Sequence, residues 1–105
     1  MKIKVPREIK LLTHKYKVRS NSKELLGLGA MAVSRHFLQD IILDTRNIPP
    51  SELNQTFLHE IVHIIERHFS MRFDDGDTDR LAEGFAAILF DNFGIELDWS
   101  DIQEE

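Results

Sequence analysis

The chain has 105 residues, 42% hydrophobic and 30% charged, with a formal net charge of -5 and no cysteine. That length suits one domain, 1–105, with a single core. The missing cysteines exclude a disulfide framework and a thiolate metal site, and the acidic balance makes nucleic acid an unlikely partner.

No apolar run reaches membrane-spanning length and the N-terminus carries no signal-peptide pattern, so an intracellular protein without a membrane partner is expected. Lys10, Lys15, Lys17 and Arg19 make the first third basic, whereas Asp98, Asp101, Glu104 and Glu105 make the tail acidic. These read as solvated faces of a strand and a frayed end.

From His14 to Arg19 the pattern alternates, with His14, Tyr16 and Val18 on one side and Lys15, Lys17 and Arg19 on the other. Period two with β-branched and aromatic residues predicts a half-buried strand starting near Ile9. Asn21 to Gly29, with two glycines, reads as a loop or a single helical turn. Ala30 to Ser34 and Asp40 to Thr45 read as two short strands, joined through Arg35 to Gln39 as a hairpin.

Pro49-Pro50 ends this sheet region, because neither proline can donate a ladder hydrogen bond. Ser51 is the expected N-cap of a helix running to about Phe69. Leu53, Phe57, Leu58, Ile61, Val62, Ile64 and Ile65 make most of its circumference apolar, so the helix should be buried. Asp74-Asp75-Gly76-Asp77 resembles a calcium loop only superficially and reads as a turn and helix cap. A second helix is expected from Asp77 or Thr78 to Asn92, with Gly94 as its stop signal. Leu81, Phe85, Ile88 and Leu89 are its core face, and Ala82, Ala86 and Ala87 permit close helix packing. Ile95, Leu97 and Trp99 let the tail dock back on the body. The predicted fold class is α+β: a small three-stranded antiparallel sheet packed against the first long helix and a second, C-terminal helix.

The polar residues left within the apolar helix are His59, Glu60 and His63, an HExxH pattern. Positions i and i+4 of a helix lie on one face, so two imidazoles at this spacing can grip one metal ion from one side. Glu60, beside the first histidine, can reach a water on that metal as general base. An ordinary helix with two surface histidines is the plain alternative, but the uncharged neighbours Thr56, Phe57, Leu58, Ile64 and Ile65 weigh against it. A catalytic Zn2+ needs three protein ligands and an open position. Asp79 and Glu83, at i and i+4 on the second helix, both qualify as the third, the other being free to accept a hydrogen bond from a ligand imidazole. Glu66, three residues past His63, reads as a solvated carboxylate, and His68 is turned away from the pair. His14 and His36 read as structural or exposed. Tyr16, His68, Arg72 and Arg80 are the available donors for an oxyanion, none of them singled out by spacing.

Phe57-Leu58-His59-Glu60-Ile61-Val62-His63-Ile64-Ile65, followed by Asp79-Arg80-Leu81-Ala82-Glu83-Gly84-Phe85-Ala86, resembles the small HExxH metallopeptidase-like proteins of phages and bacterial mobile elements. These are relatives of the ImmA/IrrE group within the zincins. The resemblance covers the last half of the chain. It implies a zincin-like fold, a cytoplasmic, bacterial or phage-encoded protein, and a protein or peptide substrate. It also favours Asp79 as the third zinc ligand and Glu83 as the carboxylate behind a ligand imidazole. The group carries Glu at the ligand position, and Asp79 is one methylene shorter.

The leading expectation is a zinc metallopeptidase with Glu60 as general base, acting on one specific regulatory protein. So small a chain has few residues with which to shape an extended groove. The second is a non-catalytic, zinc-stabilised module for protein interaction or regulation. A third, a DNA-associated domain, lacks the basic surface it would need.

Overall fold

In a computed structural model all residues, 1–105, are described. The elements in chain order are β1 (Lys2–Lys4), β2 (Glu8–Leu11), β3 (His14–Ser20), α1 (Ser22–Leu28), β4 (Ala32–Arg35), β5 (Asp40–Leu43), α2 (Pro50–His68), α3 (Asp75–Ala86) and β6 (Glu96–Asp98). A π-helical turn, Ala87–Asn92, prolongs α3. The α+β class is as the sequence predicts. The expected three-stranded antiparallel sheet is instead four-stranded and mixed, in the order β2-β3-β5-β4. A separate two-stranded parallel ribbon pairs β1 with β6.

Two local features account for the difference. The single strand expected from Ile9 breaks at Leu12–Thr13, giving an antiparallel β2–β3 hairpin with Leu11 opposite His14. Leu12 turns the chain with φ of 58°, a left-handed conformation that leucine rarely signals. The Asn21–Gly29 stretch is a true helix, capped by the Asn21 side chain on the Glu24 amide at 2.9 Å. Gly29 closes it in the left-handed region at φ 67°, where a Cβ would be strained. After this helix the chain returns as β4 at the far edge, and β5 fills the gap beside β3, parallel to it.

That central place explains the composition of β5. Both α1 and α2 pack against it, and Ile41, Ile42 and Leu43 are fully buried. A strand covered on both faces reads as a continuous apolar run, not as an alternation. The core joins Val5, Tyr16, Val18, Ile41 and Leu43 to Leu53, Phe57 and Ile64 of α2, and to Ile48 and Ile102.

α2 starts one residue before the expected Ser51 cap. Pro50 occupies its first turn and Pro49 precedes it without any side-chain cap, since proline there forfeits no bond and has its φ preset. α3 begins at Asp75, capped by the Asp74 carboxylate on the Asp77 amide at 2.7 Å. The tail docks as expected: Trp99 Nε1 donates to Asn54 Oδ1 at 2.7 Å and its ring meets Phe57 edge-on.

The charged ends are not merely solvated. Arg19 bonds Asp40 at 2.8 Å, Glu24 at 3.0 Å and Glu105 at 2.6 Å, and Arg35 bonds the same Asp40 at 2.5 Å. Glu104 accepts hydrogen bonds from the hydroxyl of buried Ser20 and from the amide and hydroxyl of Ser22. The last residues therefore clamp β3 to α1 and are no frayed end. Burial works to raise the Asp40 carboxyl, but Arg35 and Arg19 overcome it and hold the group below the usual carboxylate range. A carboxylate lowered in this way stabilises the fold fully above its unfolded value, near pH 4, and the contribution is lost as pH falls through the lower folded value.

Asp40→Asn is expected to cost about 2 kcal/mol at pH 7 in urea unfolding, between the exposed and fully buried cases. The difference from the unsubstituted chain should narrow steadily below pH 4. A deficit that persisted unchanged at pH 2.5 would show that packing, not charge, was lost.

Candidate metal centre

α2 crosses the middle of the fold with one face on the sheet core and another against α3. His59 and His63 lie one turn apart on it. Their Nε2 atoms meet at 2.9 Å, with the rings at 81° to one another. Two imidazole nitrogens this close share a single proton, one donating to the other. Ligand nitrogens in a tetrahedral zinc site, each about 2.05 Å from the ion, are about 3.3 Å apart. The pair therefore needs only a few tenths of an ångström to pass from sharing a proton to sharing a cation.

Each ring is also held from behind. His59 Nδ1 lies 2.7 Å from Asp79 Oδ1, and His63 Nδ1 lies 3.5 Å from Glu66 Oε2. Glu66 is in turn anchored by the hydroxyl of Thr78, which donates to its Oε1 at 2.6 Å and is fully buried. Each carboxylate sets a negative charge beside its imidazole, which favours a cation held by the ring. Thr78 and Asp79 are neighbours in the first turns of α3. Ala82, 1% exposed, lets that helix lie close against α2.

Glu60 is 7% exposed, and its carboxylate makes no hydrogen bond to a protein group. It opens into a cleft of about 320 Å³ together with His59, Asp79, Gln55, Thr56 and Ala32. A nearly buried carboxylate without a partner, facing a cleft beside two convergent imidazoles, is placed to exchange a proton with whatever occupies that cleft.

Of the residues expected from the sequence, His59, Glu60, His63 and Asp79 come together. Asp79 meets His59 on its Nδ1 edge, through one oxygen. Glu83 is exposed and lines a different groove, with Ser51, Asn54 and Gln55. No three His, Asp or Glu side chains converge on one point as a complete ligand set. Tyr16 is fully buried, and Tyr16, His68, Arg72 and Arg80 all stand away from the cleft. Gln55 and Thr56 are the neutral donors within it. Gln55 had a visible signal, since it precedes His59 by one turn on the same face. Local spacing marks Glu66 as solvated, but its side chain is 12% exposed because the start of α3 covers it.

Glu66→Gln is expected to weaken zinc binding by about 10–100-fold, read by competition with a chromophoric chelator. Thr78→Val should reproduce part of that loss and Thr78→Ser none of it. Equal affinity in Glu66→Gln and the unsubstituted chain would remove Glu66 from the site.

No helix of the structure is long and apolar enough to cross a membrane. Compared with protein-family models, curated proteins and solved structures, the chain matches none of them.

Proposed function

We propose that the protein is a zinc-dependent metallopeptidase, with His59 and His63 holding the ion and Glu60 acting as general base. One observation carries this reading. The two Nε2 atoms meet at 2.9 Å, and of the two rings His59 lines the cleft into which the unpartnered Glu60 carboxylate opens. Asp79 is the third donor in this reading. It is the α3 carboxylate nearest the pair, and to serve as a ligand it must leave His59 Nδ1, where its Oδ1 now lies, and turn toward the Nε2 side.

When bound, zinc supplies Lewis acidity and brings water in the cleft to a pKa of about 7. Glu60 then accepts a proton from that water as it adds to the substrate carbonyl, and returns the proton to the leaving nitrogen. Gln55 and Thr56 offer the N–H and O–H groups that a developing oxyanion in the cleft can use. Glu66, beside His63 Nδ1, helps keep that imidazole aligned throughout.

A peptide substrate is supported by the position of β4. It is an edge strand of the sheet, and its first residue, Ala32, lines the cleft. An extended chain can add to such an edge through main-chain hydrogen bonds. Arg67 already occupies the Ser34 carbonyl, so only the start of β4 is open to such pairing. Together with the small cleft, that favours a narrow specificity, such as one regulatory protein in the cytoplasm of a bacterium.

The second reading is a non-catalytic, zinc-stabilised interaction module. Its support is the row of exposed apolar side chains Leu81, Phe85 and Ile88 on α3 and the π turn.

Glu60→Gln separates the two readings. It is expected to retain stoichiometric zinc while peptide hydrolysis falls about a hundred-fold or more. Zinc-loaded protein that cleaves neither a peptide pool nor folded candidate proteins would favour the module. Elemental analysis should show zinc lost in Asp79→Ala and kept in Glu83→Ala, and the reverse would move the third ligand to Glu83.

A further inference from the structure

Three of the five histidines take no part in the site on α2. His14 at the start of β3, His36 in the β4–β5 turn and His68 at the end of α2 are brought together over one buried phenol. The Tyr16 hydroxyl lies 2.7 Å from His68 Nε2 and 3.3 Å from His36 Nδ1. The ring of His14 stacks on that of His68 at 4.5 Å, and its Nδ1 is held by the Gln39 amide at 2.9 Å. His14 Nε2 has no hydrogen-bond partner. No carboxylate bonds any of the four groups, and the guanidinium of neighbouring Arg67 is turned to Ser34.

We propose that His36 Nδ1, His68 Nε2 and the Tyr16 hydroxyl form a second cation site, with His14 at its rim, for a divalent transition metal of the copper–zinc type. Two nitrogens from segments remote in sequence aim at one oxygen, at 2.7 and 3.3 Å. Donors in a tetrahedral first-row site stand about 3.3 Å apart, which the Tyr16–His36 distance matches, and the shorter Tyr16–His68 distance must open by about 0.6 Å to admit an ion. Imidazole and phenol donors without a carboxylate suit Cu2+, Ni2+ or Zn2+ and do not suit Ca2+ or Mg2+. The Gln39 side chain orients His14 from behind, as outer partners of ligand imidazoles do.

The cluster has an entry path. Tyr16 is fully buried, but His14, His36 and His68 are each partly exposed. His36 lies on a turn whose next two residues, Phe37 and Leu38, are 96% and 66% exposed, so its ring can adjust without disturbing the core. On binding, the cation takes the place of the Tyr16 hydroxyl proton, which leaves to solvent, and the phenolate oxygen becomes a ligand. The ion then ties β3, the β4–β5 turn and the end of α2 to one point. Binding to the folded state alone stabilises it by mass action.

The test removes the first site. The His59→Ala/His63→Ala chain, titrated with Cu2+, is expected to bind one equivalent and to develop a visible phenolate-to-copper charge-transfer band. Tyr16→Phe in that background should lose the band, and His36→Gln should lower Cu2+ affinity at least ten-fold while far-UV circular dichroism is unchanged. Zn2+ should raise the melting temperature of the double variant and leave that of the same chain carrying His36→Gln unmoved. Should Tyr16→Phe fail to fold, the His36→Gln titration decides alone. Absence of a bound equivalent in the double variant overturns the proposal, as does binding that survives both His36→Gln and His68→Gln. Neither result bears on zinc at His59 and His63, which are absent from the chain tested.

Discussion

Everything in the centre of this protein depends on α2 being packed on two sides at once. One face carries Leu53, Phe57 and Ile64 into the sheet core, where they meet Ile41, Leu43 and Tyr16. The other receives α3 through Ala82, whose small side chain permits a close approach. A helix held this way cannot rotate, so the i, i+4 geometry of His59 and His63 becomes a fixed direction in space. The α3 contact also delivers Thr78 and Asp79, the groups that reach the imidazoles from behind, one through Glu66 and one directly.

The buried polar groups follow the same logic. A helix lined with isoleucine and valine is an expensive place for two histidines and a glutamate, unless their polar atoms find partners. The histidines find each other through Nε2, with the carboxylates of Asp79 and Glu66 beside their Nδ1 atoms. Glu60 alone keeps an open carboxylate, and it keeps it toward the cleft. In the other polar cluster, over Tyr16, the phenol and two imidazoles bond one another instead. Burial raises the Tyr16 hydroxyl, and burial together with His14, His36 and Arg67 lowers His68, so both groups are neutral near pH 7. Two histidine clusters at the two ends of α2's C-terminal half are thus held in different ways, one by carboxylates and one by a phenol.

Much of this was legible in local pattern. The alternation at His14–Arg19, the turn and cap at Asp74, both long helices and the HExxH face all follow from periodicity and capping chemistry, which act over a few residues. What was not legible involved pairing over long distances or turns without the usual residues. Leu12–Thr13 turns a hairpin without glycine or asparagine. β1 finds β6, its neighbours Lys2 and Glu96 lying 94 positions apart. Ser20 and Ser22 bind Glu104 across the whole chain. Nothing in the composition of these short stretches names a partner.

The amino-acid sequence by itself determined that two imidazoles share one face of an apolar helix with a carboxylate on the adjoining side, because helical spacing needs no tertiary information. It also marked Asp79 and Glu83, on one face of the next helix, as the two candidates for a third donor. Only the tertiary structure decided between their surroundings. The crossing of α3 over α2 sets Asp79 against His59 and leaves Glu83 a turn away over another groove. The same crossing covers Glu66, which local spacing marked as solvated, and makes it the support of His63. That crossing is a property of how two helix surfaces fit, and it lies beyond the reach of any one helix's pattern.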